Sequence, residues 1–465
     1  VLGDAYWDGV PEERWRGNQY IRANGILPYG LCGSGSDERE PGVELTAVTG
    51  GKGWAFTTLA ANAWGESDEK GKPVRGDHIQ VLMYYQKKGG RPCHKMDRNP
   101  YMHCVMPLKE FDFECRIGLG EWQQAWRRPD RSLKDQTVAQ DILHCNLTNG
   151  VAELRDKFGV EFRVRDPADG SLVGKSTIKL DVCYMHVKKT WPLAICTEPM
   201  YGLKRDSKFW FNHPWQRNNT FSVLDEFVTY HIMQGVKVQV HDHDGSLNIS
   251  MSRYRNNPAV AYRRGWSLPA ITFPAVLANS KATAYESHAE TACMWEHRFR
   301  AKWIQILHSA DNFAFPLKPG VLISDLARNL DPRHIHNVNV PACTPSSNPA
   351  PPRPATSLIE KFSLMPHLLM CLYGKERSTP FGDPRAFDST NVHWFTAPRP
   401  GFNISKSMKT FGTKWAIKEM GYFTMHIMGL GRTQLDQHIG PTNFKWSFLH
   451  RMLQKNLDKL EALPP

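Results

Sequence analysis

Two kinds of hydrophobic spacing divide the chain near residue 189. Over the first 188 residues the apolar positions fall in short runs with no long stretch at helical spacing. The runs are His78–Tyr85, Tyr101–Met106, Phe111–Ile117, Gln140–Leu147, Val160–Val164 and Thr177–His186. Gly-Lys-Gly, Lys-Gly-Gly and Asp-Gly punctuate them. Many short strands at this spacing predict an all-β, sandwich-like domain over residues 1–188. From Trp191 the pattern changes. Pro192–Cys196 reads as a short apolar strand running into Thr197-Glu198-Pro199-Met200-Tyr201-Gly202. Val223–Met233 reads as an amphipathic helix, with Leu224, Phe227, Val228 and His231 at i, i+3, i+4 and i+7. Val236–Val240 is a second strand, ending in His241-Asp242-His243-Asp244-Gly245. A helical stretch, Ala284–Arg300, leads into a strand from Trp303 that stops at Ser309-Ala310-Asp311. This strand–helix–strand alternation predicts an α/β domain over residues 189–465 with a mostly parallel central sheet. The expectation for the whole is thus an α+β chain of two domains. Residues 341–356 form a proline-rich segment expected to be a loop, and Phe444–Leu460 reads as a terminal amphipathic helix.

Length and composition narrow the classes. A chain of 465 residues is too long for one compact core, and 41% apolar with 22% charged residues describes a globular protein. No run approaches the ~20 apolar residues of a membrane helix. The chain opens on Val with no signal-like segment, as expected of a mature or trimmed chain whose targeting segment has been lost. Any membrane association is therefore expected from an anchor outside it. The net charge of +12 comes from scattered Lys and Arg rather than a basic block, which argues against nucleic acid as a partner. Ten cysteines contain no C-x-x-C pair, and sequons stand at Asn146, Asn218, Asn248 and Asn403. Together they favour a secretory-route protein with disulfides, in the Golgi lumen or outside the cell. Trp7, Trp15, Trp54, Trp64, Trp122 and Trp126 either fill a sandwich core or present stacking platforms for sugars.

Candidate chemistry gathers at three strand ends: Thr197-Glu198, Asp242-His243-Asp244 and Ser309-Ala310-Asp311. A parallel sheet brings such ends onto one edge, where ligands bind in open α/β sheets. A carboxylate there, Asp311, is suited to hold a divalent cation against a nucleotide diphosphate, and Ser309 stands where a second carboxylate would complete Asp-x-Asp.

Several ordered motifs resemble glycosyltransferase family 92, whose catalytic domain has a GT-A type fold. They are Cys196-Thr197-Glu198-Pro199-Met200-Tyr201-Gly202, Leu224-Asp225-Glu226-Phe227-Val228-Thr229-Tyr230-His231 with Gly235-Val236, and His241-Asp242-His243-Asp244-Gly245-Ser246. The Cys293 helix with Arg298, and Lys302-Trp303 leading to Asp311-Asn312-Phe313, complete the set. The resemblance spans roughly residues 190–430. It implies transfer of a sugar, commonly galactose from UDP-galactose, with inversion, onto a polysaccharide or glycoprotein acceptor. It implies Mn²⁺ held by Asp311 and His426, with His393 as second choice for the imidazole. Thr197, Glu198, Asp242, Asp244 and Ser309 are expected around the UDP-sugar, and Asp383 or Asp388 is expected to act as base. Ser309 and Asn312 depart from the family's acidic pattern. They motivate an alternative, a transferase-like protein without catalysis that binds glycans or builds an extracellular assembly. The residues 1–188 then form an accessory domain of the carbohydrate-binding type.

Overall fold

The computed structural model describes residues 26–27, 29–33, 38–39, 44–49, 52–64, 78–87, 112–127, 140–147, 155–166, 168–173, 177–185, 190–200, 223–242, 245–264, 286–307, 310, 312–318, 320–331, 335–343, 378–390, 395–398, 409–411 and 415–426. Tyr101–Met106, residues 344–356 and Phe444–Leu460 lie outside them. The first half contains two antiparallel sheets. One is built around β1 (Lys52–Trp64), β2 (His78–Lys87) and, further along the chain, the strand Gln140–Asn146. The other is built on β3 (Asp112–Ile117). The Gln140–Asn146 strand is β4, and β5 (Lys157–Arg165) and β6 (Ile178–Tyr184) extend the second sheet, whose edges are the short strands Gln123–Gln124 and Tyr29–Leu31. Strict alternation along β6, with Ile178, Leu180 and Val182 buried and Lys179 and Asp181 exposed, gives that sheet one dry and one wet face. The dry face meets the inner face of the first sheet over a core that includes Ile79, Val81, Phe113, Leu143 and Phe162.

The second half is carried by a ten-stranded sheet. Its elements in chain order are β7 (Trp191–Met200), α1 (Val223–Met233), β8 (Lys237–Asp242), α2 (Asn248–Ser252), β9 (Val260–Arg263), α3 (Glu286–His297), β10 (Ala301–Leu307), β11 (Asn312–Pro316), α4 (Ile323–Asn329), β12 (Ile335–Cys343), β13 (Ser378–Gly382), β14 (Phe387–Thr390), β15 (Phe395–Pro398) and β16 (Tyr422–His426). β14 and β15 form a separate two-stranded sheet. The order across the large sheet is β11-β16-β12-β13-β10-β7-β8-β9, with Glu38–Arg39 at the far edge and Lys409–Phe411 beside β12.

The expectation of a GT-A type α/β domain with a mostly parallel central sheet is overturned. The molecule is mostly β-strand, with antiparallel sheets and a curled mixed sheet. Parallel neighbours require long crossovers, usually helical, and the described helices α1 to α4 are 5 to 12 residues long. Past Leu307 the sheet grows by antiparallel pairing of β13 with β10, β12 with β13, and β11 with β16, and by parallel pairing of β16 with β12. The loop expected over 341–356 also starts late. Pro341–Cys343 belong to β12, where Pro341 occupies the last rung against Ser378, a place where the missing N–H of proline is tolerated.

The two halves share a core. Leu59, Ala60, Leu82 and Ile142 of the first sheet pack with Ala289, Ala292, Met294 and Trp295 of α3 and with Ile304 and Ile306 of β10. Helix α3 is thereby held between the antiparallel sheet and the mixed one. The buried Arg298 at its end donates to Asn62 of β1 at 2.7 Å.

Candidate functional site

β7, β8, β9 and β10 run parallel, so their C-terminal residues, Met200, Asp242, Arg263 and Leu307, finish on one sheet edge. Direction carries the same edge further across the sheet. β13 is antiparallel to β10, β12 is antiparallel to β13, and β16 is parallel to β12. β16 therefore points the same way as β10, and its last residue, His426, lies at that edge. β11 runs antiparallel to β16, with Asn312 paired opposite His426. The start of β11 thus belongs to the same edge. Asp311, which precedes Asn312, lies outside the described residues, as do Ser309, Asp244, His393 and the side chain of His426.

The described strand-end residues have well-defined roles. Between Cys196 and Pro199 the pairing of β7 with β8 shifts register, a bulge of the kind that re-aims side chains beside functional sites. Thr197 is fully buried inside it. Its Oγ1 accepts the His241 amide at 3.2 Å and donates to the Glu198 carbonyl at 3.0 Å. The side chain thus supplies bonding that the interrupted ladder loses. Glu198 is only partly buried at the edge. Asp242 is fully buried and accepts from the backbone amides of Gly245 at 2.9 Å and Leu247 at 3.2 Å, and from the hydroxyl of Tyr262. It ties the turn after β8 to β9. Gly245 sits in that turn at φ +77°, where a β-carbon is strained.

Behind this edge lies a buried polar layer. His241 donates from Nδ1 to the Thr197 carbonyl at 2.8 Å, its Nε2 faces the Gln239 amide at 3.2 Å, and Gln239 Oε1 accepts from His297 Nε2 at 2.9 Å. Burial first, and the charge of Lys237 next, hold His297 well below the usual histidine range. A second group joins Gln305 of β10 to Thr379 and Thr424 at 3.2 and 3.1 Å and to the Tyr422 hydroxyl. Both networks fix neighbouring strands against sliding.

The two residues expected to act as base lie elsewhere. Asp383 follows β13, which is antiparallel to β10 and β12 and whose C-terminal Gly382 pairs with Ile304 midway along β10 and with Asn337 near the start of β12, so the chain leaves β13 toward the opposite end of the sheet. Its carboxylate accepts from Arg385, through Nε at 2.6 Å and the backbone N–H at 3.0 Å. Asp388 is fully buried and pairs with Arg298 at 3.0 Å. That guanidinium also donates to the carbonyls of Pro384 at 3.1 Å and Phe387 at 2.6 Å. Burial pushes Arg298 down to about 10, with Asp388 pulling the other way. The two carboxylates are engaged by Arg385 and Arg298 in the interior.

No protein-family model matches this chain, and no curated protein matches it in sequence. The site must be judged on its geometry. Among the described residues no group of three His, Cys, Asp or Glu side chains is placed to hold a metal ion. Three disulfides form among them: Cys32–Cys183, Cys115–Cys145 and Cys196–Cys293. They fit a secreted or luminal protein. No described helix is long and apolar enough to cross a membrane. Of the sequons, Asn146 is engaged, its Oδ1 accepting from Trp126 at 2.8 Å, and Asn248 is exposed. Asn218 and Asn403 lie outside the described residues.

The tryptophans divide. Trp126 stacks on His144 at 3.7 Å, half-buried within the first sheet. Trp122 stands on the wet face of the second sheet, with the guanidinium groups of Arg116 and Arg163 at 4.7 and 4.3 Å from its ring. Around it Arg116 pairs with Glu161 at 2.9 Å, and Arg163 and Arg165 both pair with Glu114. Burial works to raise Glu114, but the two arginines outweigh it and hold the carboxyl below its usual range. Trp7, Trp15 and the side chains of Trp54 and Trp64 lie outside the described residues.

Tyr230 and His231 are named in the sequence reading without a role at the site. In the sequence His231 is one more position on the apolar face of a helix. Its Nδ1 donates to the Phe227 carbonyl at 2.8 Å and its Nε2 accepts the amide of Ala314 at 3.2 Å, while the Tyr230 hydroxyl donates to the Ala314 carbonyl at 2.8 Å. Burial pushes the imidazole of His231 down to about 3. The only signal in the sequence is a histidine at a core position, which must find partners there.

Proposed function

We propose that the protein is a metal-dependent inverting glycosyltransferase that moves a sugar, galactose from UDP-galactose by its resemblance, onto a polysaccharide or glycoprotein acceptor in the Golgi lumen or outside the cell. The observation that carries this reading is the pairing of Asn312 with His426. That rung lies at the edge where β7, β8 and β10 also end, and Asp311 is the residue next in sequence to Asn312. An oxygen and an imidazole donor fit Mn²⁺ in kind. When bound, the cation supplies Lewis-acid neutralisation of the departing diphosphate. Glu198 at the bulge is the described carboxylate best placed to meet a ligand over this edge. Thr197 and Asp242 support the reading as positioning groups, since their polar atoms are spent on the bulge and the turn. Asp383 and Asp388 have no part in it. The test is UDP release from UDP-galactose with and without Mn²⁺. Stimulation by Mn²⁺ that disappears in Asp311→Ala is the expected result. No turnover and no thermal shift with UDP-galactose plus Mn²⁺ would sink the reading.

A second reading, glycan binding without catalysis, has its own support in the Trp122 face. There an aromatic ring lies among arginines and carboxylates whose orientations are fixed by ion pairs, as sugar hydroxyls require for bidentate bonding. It predicts that Trp122→Ala abolishes binding on a glycan array while Asp311→Ala leaves it intact.

A further inference from the structure

We infer that Tyr230 and His231 are positioning residues for the proposed cation corner: they hold the edge of β11 turned away from β16 and so fix the register that sets Asn312 opposite His426. This rests on the metal-dependent reading above. Among the described residues β11 is the last strand of the mixed sheet, so the backbone groups of Ala314 that face away from β16 meet no described strand. At Ala314 both groups of that row are taken by α1. The Tyr230 hydroxyl donates to the carbonyl at 2.8 Å, and Nε2 of His231 accepts the N–H at 3.2 Å. The bond from His231 Nδ1 to Phe227 O, at 2.8 Å, leaves Nε2 as the acceptor. Two adjacent side chains of a helix thereby stand in for a neighbouring strand.

Packing reinforces the hold. Phe313 lies 5.9 Å from the ring of Phe227, 5.6 Å from Tyr230 and 5.9 Å from His231, and Phe315 packs on Tyr230 at 5.0 Å and on Phe423 of β16 at 5.7 Å. A slip of one residue along β16 would turn every side chain of β11 to the other face. It would take Phe313 and Phe315 out of their aromatic contacts, break both bonds at Ala314 and move Asn312 off His426. Tyr230 and His231 are themselves fully buried, so they act through β11 and not on a ligand.

The test uses the full chain and Mn²⁺ alone, with bound Mn²⁺ read by electron paramagnetic resonance and amide exchange followed in residues 312–316. Tyr230→Phe and His231→Phe are expected to weaken Mn²⁺ binding by about tenfold, the scale of supporting residues around metal ligands, and to speed exchange in that segment. His231→Gln, which keeps an acceptor, is expected to recover most of the affinity. Val238→Ala, a cavity on β8 in the same core, is expected to lower the melting temperature without changing Mn²⁺ affinity, which separates register from general destabilisation. Should His231→Phe fail to fold, Tyr230→Phe decides alone. If both variants bind within about twofold of the parent while Asp311→Ala abolishes binding, the positioning role is wrong and the metal reading survives. If the parent chain itself binds no Mn²⁺, the metal reading fails and the positioning role goes with it.

Discussion

His231 and His297 are neutral imidazoles sealed in the interior, and this gives the protein a defined response to acid. In the fold His231 resists protonation until about pH 3, against 6.5 for the exposed side chain. Between those values the unfolded chain binds the extra proton and the folded chain does not. The stabilisation is therefore fully present above pH 6.5 and erodes as pH falls toward 3. For His231 the loss reaches roughly 5 kcal/mol at the lower end, at about 1.4 kcal/mol for each pH unit crossed. His297 adds to it in the same direction. Urea denaturation across this range should show a falling midpoint, and His231→Gln should flatten the profile. A second prediction concerns the pair Arg298 and Asp388. Removing one partner leaves a buried charge alone, so Asp388→Asn should cost about 3–5 kcal/mol, read by chemical denaturation. Its effect on UDP release should be no larger than the loss of folded protein, whereas a base would lose turnover at unchanged stability.

At the scale of elements, the bulge in β7 is the feature most open to test. Thr197→Val keeps the shape but leaves the His241 amide without its acceptor, which should cost about 1–3 kcal/mol, while Thr197→Ser should cost much less. The disulfide from Cys196, one residue before the bulge, to Cys293 of α3 closes a separation of 97 residues. Replacing both cysteines with Ala should lower stability by about 4 kcal/mol, since a long loop is released in the unfolded chain, and a thermal melt reads it. These elements also show what was legible in sequence. Val223–Met233 forms with the bounds its spacing implies, because four core contacts on one helical face leave little choice. Thr197 and Asp242 were found because polar residues that abruptly end an apolar run are visible locally. Lys52–Trp64, a strand of 13 residues, was not read, since the Thr and Ala of its TTLAANA segment blur the alternation. The burial of Asp388 was invisible because Arg298 lies 90 residues away. The mixed character of the sheet rests on long-range pairings, such as Val338 with Phe381, which no local pattern encodes.

For the whole molecule, the division near residue 189 marks a change of pattern and not a break in packing. The core around α3 draws on β1, β2 and β4 from one side and on β7 and β10 from the other. Arg298 reaches Asn62 across it, and Glu38–Arg39 extends the mixed sheet beside β9. Residues 189–465 expressed alone should therefore expose that apolar face of α3 and fail to give a cooperative melt, while the full chain should melt in a single transition by calorimetry. Two separate transitions, with the second half folding unaided, would show the halves to be independent. The proposed nucleotide site is the edge where β7, β8, β10 and β16 end and β11 begins. It is tested most directly by a crystal structure of the protein soaked with UDP and Mn²⁺. The expected density is a cation between Asp311 and His426, with the diphosphate across the ends of β7 and β8. A cation-free corner, or UDP bound away from that edge, would contradict it.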